Sequence, residues 1–298
     1  MKFTASKITT VCLAVGLLVQ AAISAPLLLV IPGLPPSPTL ASALWQSFQT
    51  ATNGHTAATE FLNLGGDVTN IVWNTNSCLY GQSGFTAFSM EGNGYFFTNA
   101  GWGTPVTALT KRHVYARGHD MGQTNNVLDN HPYTSAAIHF LTADNQVVLR
   151  HALAAFNRQN YFLIAGQTAV QDYTLFLLDA DLPDSIQPVT MVDTNFAAKL
   201  AKNTAGWWPN FNPELATCQH NQIGTLDGVS FNPHPFYVGG DSGSPNFYIL
   251  NGAVVMVDGR TTSGWSPQMQ ADADALSVWG GLNPASYQIK LLDVSQFQ

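Results

Sequence analysis

Charged side chains are scarce in this sequence. Of its 298 residues only 10% are Asp, Glu, Lys or Arg, whereas about a quarter is usual for a soluble protein. Lys and Arg number 11 against 18 Asp and Glu, which gives a formal net charge of -7. A protein that binds nucleic acid needs a basic face to neutralise phosphates, and so few cations cannot provide a large one. The composition therefore argues against nucleic acid as a partner.

Cysteine is also rare. The chain contains three, Cys12, Cys78 and Cys218, and no spacing of Cys and His is typical of a zinc site. We therefore expect no metal and no other cofactor. Cys12 lies in the apolar N-terminal segment, so an exported chain would keep only Cys78 and Cys218. An even pair in an oxidising compartment is consistent with a disulfide, and two unrelated buried thiols are the alternative.

The N-terminus has the order of a secretory signal peptide. Lys2 and Lys7 precede an uncharged apolar stretch, residues 8–24, that ends in small residues. We expect residues 1–24 to be removed and the protein to be secreted, in the periplasm or outside the cell, without membrane attachment. An uncleaved anchor is the alternative, because apolar residues resume at 26–31 and lengthen the uncharged stretch.

The remaining chain divides into an extension and a β-rich domain. Residues 25–66 contain several prolines and are predicted to be a linker. Residues 67–298 contain many short β-type runs separated by turn residues, a pattern typical of a β-sandwich or a β-barrel. Residues 271–279 have helical spacing, and 287–294 resemble a trailing strand. The predicted strands are 70–73, 84–89, 95–98, 138–141, 146–149, 161–164, 173–178, 247–250 and 253–257.

The strongest indication of function lies in residues 239–245 (GGDSGSP). Acyl transfer requires a serine oxygen that projects from a tight turn, with backbone N–H groups directed at the developing oxyanion. Glycines on both sides of Ser242 allow such a turn. The amides of Gly240 and Ser242 are the candidate donors of the oxyanion hole. A simple hairpin turn rich in Gly, Ser and Asp is the alternative interpretation.

Residues 240–245 resemble the nucleophile motif of the trypsin-like serine proteases, which have the chymotrypsin fold. The segment 108–119 (ALTKRHVYARGH) is similar to the strand of that family that leads to the catalytic histidine, and it puts His119 in the position of the base. This segment departs from the family in two places. Arg117-Gly118 replaces the usual pair of small residues, and Asp120 replaces the usual cysteine.

A second segment resembles the part of the family that carries the catalytic aspartate. Asp172 opens the run 172–178 (DYTLFLL), and residues 181–189 resemble the family's segment after that aspartate. We interpret Asp172 as an acid at the mouth of a buried strand. The order His119, Asp172, Ser242 along the chain favours this family over the α/β-hydrolases, in which the order is Ser, Asp, His.

The resemblance implies both a fold and an activity. The implied fold is mostly β, with two six-stranded antiparallel β-barrels and a C-terminal helix. The implied activity is that of a secreted serine endopeptidase, which hydrolyses a peptide or protein substrate through an acyl-enzyme. His119 would act as general base for Ser242, and Asp172 would orient His119. His113, in the strand before His119, is the rival candidate for the base.

Substrate preference is indicated by two segments. In the family, one wall of the specificity pocket lies shortly before the nucleophile, which here gives Phe236, Tyr237 and Val238. The second wall is expected from the strand that includes Gly259. The first wall contains no acid, so an apolar side chain is expected in the pocket. Two other functions stay open: an inert, protease-like binding module, and an esterase that uses the same triad.

Overall fold

The computed structural model describes most of the β-rich part of the chain. The described residues are 27–29, 61–63, 71–76, 80, 88–92, 106–118, 127–129, 137–164, 167–195, 206–212, 217–226, 229–231, 245–250, 253–259 and 264–295. In several strands only the backbone is described.

Seventeen strands and a C-terminal helix make up the described secondary structure, apart from short turns. The strands are β1 (Leu27–Leu29), β2 (Phe61–Asn63), β3 (Ile71–Trp73), β4 (Phe88–Gly92), β5 (Val106–Ala108), β6 (His113–Arg117), β7 (Val127–Asp129), β8 (Ala137–Leu141), β9 (Val147–Ile164), β10 (Gln167–Leu178), β11 (Thr190–Met191), β12 (Gly206–Asn212), β13 (Thr217–Leu226), β14 (Val229–Phe231), β15 (Pro245–Leu250), β16 (Ala253–Gly259) and β17 (Lys290–Leu292). The helix, α1, spans Pro267–Trp279. For the described residues, the prediction of a mostly β fold with a C-terminal helix is confirmed.

The first large sheet is antiparallel and curls back on itself. Its seven strands follow the order β10-β6-β5-β4-β8-β9-β7, and β9 also pairs with β10. This additional pairing joins two strands that stand far apart in the row, so the sheet forms a curled half-barrel. A sheet of twisted antiparallel strands closes in this way when the strands tilt relative to one another.

Strands β6 and β10 lie at the centre of the core. All of β6 is buried, and Tyr115 and Tyr173 are among the largest fully buried side chains. The two strands pair from Tyr173 opposite Arg117 to Leu177 opposite His113. Both contain aromatic and branched apolar residues, which fit a pleated surface that is covered on both faces.

Strand β9 differs from its prediction. The sequence indicates separate strands at 146–149 and 161–164, but the structure has one strand of 18 residues that spans both regions. Its first part pairs with β8, and Ala152–Ile164 pairs with β10. The middle of β9 contains polar residues such as Asn157 and Arg158, which interrupt the apolar pattern although the backbone ladder continues through them.

The second large sheet is mixed. Its eight strands follow the order β1-β17-β11-β16-β15-β12-β13-β14. Strands β12 to β16 pair antiparallel with one another, whereas β11 is parallel to both β16 and β17. The small remaining sheet joins β2 and β3.

The last strand brings the N-terminal and C-terminal parts of the described chain together. β17 pairs in parallel with β1, from Leu27 opposite Lys290 to Leu29 opposite Leu292. Part of the segment predicted as a linker therefore adds a strand to the second sheet. The trailing strand predicted at 287–294 is present but shorter, Lys290–Leu292, and a turn of 3-10 helix at Pro284–Ser286 precedes it.

Helix α1 begins four residues before the predicted start at residue 271. Ser266 is its N-cap: the Ser266 hydroxyl accepts a hydrogen bond from the amide of Met269 at 3.2 Å. Pro267 is the first helical residue, a position where the missing N–H costs nothing. Gly280 ends the helix, as the sequence indicates, and its amide donates to the Leu276 carbonyl at 2.9 Å.

Candidate active site

The end of β6 contacts β10 at Asp172. The amide of Gly118, directly after β6, donates a hydrogen bond to the Asp172 carbonyl at 3.1 Å. Asp172 lies inside β10, opposite Gln159 of β9, because β10 starts at Gln167. The prediction that Asp172 lies at the mouth of its strand is therefore wrong, because the strand begins five residues earlier. Asp172 instead marks the point at which the pairing between β6 and β10 ends.

The Asp172 side chain also approaches Gly118 closely. A Cβ atom on Gly118 would lie 2.6 Å from Oδ1 of Asp172 and 2.6 Å from the amide nitrogen of Tyr173. Atoms in folded proteins do not approach a Cβ so closely, and one of these two is backbone and cannot move aside. A side chain at position 118 is therefore sterically excluded where β6 meets β10, and only glycine fits there.

Asn157 holds the same segment from β9. Its side chain is fully buried, and its Nδ2 donates a hydrogen bond to the carbonyl oxygen of Gly118 at 2.9 Å. Gly118 is thus bonded through its amide to β10 and through its carbonyl to β9. Asn157 is not among the site residues predicted from the sequence, although a lone amide after the apolar run 152–156 (ALAAF) indicates a specific polar partner.

His113, the rival base, is a buried structural residue. Its Nδ1 lies 2.9 Å from the Thr110 hydroxyl and its Nε2 lies 3.2 Å from the Ser277 hydroxyl of α1. Thr110 Oγ1 already accepts from the amides of Arg112 and His113, so it donates its proton to Nδ1. Nε2 then carries the ring proton and donates it to Ser277.

The environment of His113 keeps its ring neutral. Burial in the core, together with the charge of the neighbouring Arg112, lowers the pKa of His113 to about 3. Its side chain has no exposed surface, so it cannot reach a substrate. This histidine therefore joins the start of β6 to helix α1.

Helix α1 is anchored next to Asp172 by a buried polar cluster. Arg158 of β9 donates two hydrogen bonds to the Asp272 carboxylate, each 2.7 Å long. The hydroxyl of Tyr173 donates to the same carboxylate at 2.7 Å. Burial, and then the nearby Asp272, raise the pKa of Tyr173 well above its usual value. Arg158 and Tyr173 are register partners in neighbouring strands, so the helix fixes the part of the sheet that carries Asp172.

Most of the other predicted site residues lie outside the described part of the chain. They are His119, Gly240, Ser242, Phe236, Tyr237 and Val238. The described chain resumes at Pro245, the last residue of the nucleophile motif and the first of β15. Pro245 is paired with Gly259 of β16. The backbone therefore brings one predicted pocket residue next to the end of the motif.

The predicted disulfide stays a prediction. Cys78 lies outside the described residues, and for Cys218 only the backbone is described, opposite Phe211 in the pairing of β12 with β13.

A cavity of about 430 Å³ lies near the opposite end of β6. It contains none of the predicted site residues. Its lining comes from the β5–β6 turn, the segment before β11 and the residues around the start of β17: Leu109, Thr110, Lys111, Gln187, Pro188, Ala285, Ser286, Tyr287, Gln288 and Lys290.

The described residues contain no group of three or more His, Cys, Asp or Glu that could hold a metal ion. In the same part of the chain, no helix is long and apolar enough to span a membrane. No protein-family model and no curated protein matches this sequence. A function can therefore be inferred only from the motif residues and from the geometry around Asp172.

Proposed function

We propose that this protein is a secreted serine endopeptidase of the trypsin-like superfamily, with Ser242, His119 and Asp172 as its catalytic triad. The observation that carries the proposal is the approach of the Asp172 carboxylate to Gly118. Gly118 is bonded to His119, and consecutive Cα atoms are only about 3.8 Å apart. The described contact of Asp172 with Gly118 therefore supports the pairing of Asp172 with His119, which is 53 positions away in the sequence (172 − 119).

The proposed architecture is a pair of six-stranded antiparallel barrels. The curled first sheet supports the first barrel, and the antiparallel strands β12 to β16 support the second. Asp172 and Gly118 belong to the first sheet, whereas the nucleophile motif runs directly into β15 of the second. The proposed site therefore combines residues from both halves of the domain.

The proposed reaction proceeds by acyl transfer. His119 takes the proton of the Ser242 hydroxyl while the serine oxygen attacks the peptide carbonyl, and the amides of Gly240 and Ser242 stabilise the oxyanion. His119 then donates that proton to the leaving amine, which leaves an ester on Ser242. Water, deprotonated by His119, hydrolyses the ester and restores the enzyme. Asp172 stabilises the imidazolium that forms in each half-reaction.

The proposed specificity pocket lies between residues 236–238 and the end of β16. The pairing of Pro245 with Gly259 supports this arrangement, since it puts the end of β16 beside the nucleophile motif. Phe236, Tyr237 and Val238 are apolar or aromatic, so we expect apolar side chains to be preferred before the cleaved bond.

A fluorophosphonate probe tests the proposal directly, because it reacts with activated serines. We expect one labelled residue, and peptide mapping should identify it as Ser242. Ser242→Ala should abolish labelling. Ser244→Ala is the matched control, since it removes a hydroxyl from the same motif and should leave labelling intact.

The outcomes also separate the alternative functions. Labelling that persists in Ser242→Ala would contradict the proposed nucleophile. A folded protein that does not react with the probe would instead be an inert binding module. Turnover of esters without turnover of peptides would identify an esterase.

A further inference from the structure

The cavity near the start of β6 is separate from the candidate active site. Its volume of about 430 Å³ lies within the range of small-molecule sites in proteins. None of the residues predicted for the triad or the specificity pocket lines it, and every residue that does line it is described with its side chain. The chemistry of the cavity therefore follows from its own lining and does not depend on the proposed protease activity.

The charge of the lining is opposite to that of the whole chain. The sequence has 18 Asp and Glu against 11 Lys and Arg. Two of the ten lining residues are nevertheless lysines, Lys111 and Lys290, and none of the ten is acidic. Walls that contain two ammonium groups and no carboxylate favour a negatively charged ligand.

The two lysines differ in their surroundings. Lys111 forms an ion pair with Asp184, whose side chain is 92% exposed, and an ion pair in contact with water contributes little. Lys290 is partly buried in β17, and no acid among the described residues forms an ion pair with it. Burial removes part of the water around an ammonium group, so an anion beside it replaces a lost interaction. Lys290 is therefore the main cation of the cavity.

The deeper part of the lining is apolar. Leu109 and Pro188 are buried, and Ala285 lies at the exposed edge. Tyr287 adds the surface of its ring, because its hydroxyl is already hydrogen-bonded to Asp181 at 3.0 Å. A ligand that covers these groups gains from removing apolar surface from water. Inorganic phosphate or sulfate would not provide that gain, so the lining favours an anion that has an apolar body.

The walls of the cavity are fixed by contacts within the protein. The amides of Leu109 and Thr110 both donate to the carbonyl of His113, at 2.9 and 3.2 Å. The ring of Tyr287 packs edge-on against the buried ring of His113, with 6.1 Å between the ring centroids. A ligand therefore does not have to order these walls when it binds, and binding loses less free energy.

We propose that this cavity binds a small organic carboxylate with an apolar body. The carboxylate pairs with Lys290, with Lys111 as the second cation, and the apolar body packs on Leu109 and Pro188. A free organic acid and the C-terminal residue of a peptide share this chemistry. Binding at this site goes beyond the proposed function.

Isothermal titration calorimetry with 3-phenylpropionate tests the site. We expect a Kd of about 1 mM, which is usual for a ligand of this size. The uncharged 3-phenylpropanamide keeps the apolar body and should bind about 10-fold more weakly, because it loses the charge-assisted hydrogen bond. Acetate keeps the charge but lacks the body, and it should also bind about 10-fold more weakly. N-acetylphenylalanine adds a peptide group: tighter binding than that of 3-phenylpropionate would identify a peptide C-terminus as the source, and equal or weaker binding a free acid.

Three variants locate the binding. Lys290→Gln removes the partly buried ammonium and should raise the Kd of 3-phenylpropionate about 10-fold. Lys111→Gln should raise it about threefold, because Lys111 shares its charge with Asp184. Arg150→Gln is the matched control: Arg150 bonds to the nearby Asp181 carbonyl at 2.7 Å but does not line the cavity. Its Kd should equal that of the wild type.

The outcomes that overturn the inference are as concrete. They are no binding of 3-phenylpropionate by the wild type at about 10 mM, well above the expected Kd, and equal binding of the acid and its amide. An unchanged Kd in Lys290→Gln, or an equal loss in Arg150→Gln, would also overturn it. If Lys290→Gln does not fold, the comparison of acid and amide on the wild type decides. None of these measurements involves turnover, so they are independent of probe labelling at Ser242.

Discussion

The polar groups at the two ends of strand β6 lie in different environments. At the start, His113 is buried between Thr110 and Ser277, and both of its ring nitrogens are hydrogen-bonded. At the end, Gly118 lies against the carboxylate of Asp172, which is only partly buried. The first arrangement keeps a histidine neutral and inaccessible. The second arrangement leaves the Asp172 carboxylate at the border of the core, beside Gly118, which directly precedes His119 in the sequence.

This difference shows why a histidine in a suitable strand is not enough to identify a base. His113 and His119 are both candidates in the sequence, and they are separated by a single short strand. A base needs access to the substrate and a carboxylate to orient it. His113 has neither access nor a neighbouring acid among its hydrogen-bond partners, whereas the segment that leads to His119 has Asp172 beside it.

The largest effect is expected from His119→Ala. Removal of the base should lower kcat by about 10⁶, and His119→Ala combined with Ser242→Ala should lower it hardly further, because the two residues act together. The measurement is peptide turnover under saturating substrate. Additive losses in the double variant would contradict a shared catalytic unit.

A smaller but still large effect is expected from Asp172→Asn. This variant keeps the shape of the side chain but allows the wrong tautomer of His119, so kcat should fall by about 10⁴. Asp179→Asn is a suitable control, since Asp179 follows the same strand and bonds to His151 at the surface. Equal activities of the two variants would remove Asp172 from the triad.

Gly118→Ala should have an intermediate effect. The new Cβ would meet Oδ1 of Asp172 and the backbone of Tyr173 at 2.6 Å, so the two strands must separate. Displacement of this kind should reduce kcat by about 10² even in folded protein. Gly281→Ala is the control: no atom lies within 4 Å of its Cβ position, although its φ of 70° adds backbone strain.

The two glycine variants should separate activity from stability. Gly281→Ala should lower the melting temperature slightly and leave kcat unchanged, because a positive φ disfavours alanine. If Gly118→Ala retains full activity, the close approach of Asp172 to this residue has no functional importance.

Local features of this chain could be predicted from its sequence. The apolar runs at 138–141, 173–178 and 247–250 lie within observed strands, and the glycine pair after residue 279 ends the helix. In these segments, apolar periodicity and turn residues favour the structure that the tertiary fold also requires.

Features that depend on contacts distant in the chain could not be predicted. The pairing of β1 with β17 joins the first described residues to others near the C-terminus, and no local pattern specifies such a partner. The same holds for the bond from Asn157 to Gly118, two residues 39 positions apart. The family resemblance indicates Asp172 as the acid, but the position of Asp172 inside β10 depends on the pairing of residues 167–171 with the distant strand β9.

The smallest effect on turnover is expected at His113, whose contribution is to the stability of the fold. The folded protein keeps His113 neutral, with a pKa of about 3, whereas an unfolded chain protonates it near the ordinary value of about 6.5. Between these two values the unfolded state binds more protons, so acidification favours unfolding. The stabilising effect of the neutral ring is therefore complete above about pH 6.5 and is lost progressively as the pH falls toward 3, by about 1.4 kcal/mol per pH unit at most.

His113→Gln isolates this contribution, because glutamine can still form hydrogen bonds but does not titrate. We expect the variant to be less stable than the wild type at neutral pH by about 1–3 kcal/mol, and to lose less further stability between pH 6.5 and 3. Denaturant unfolding at a series of pH values measures both quantities. If the free energy of unfolding of His113→Gln depends on pH as strongly as that of the wild type, His113 is not the source of that dependence. Loss of turnover in folded His113→Gln, with His119→Ala still active, would make His113 the base.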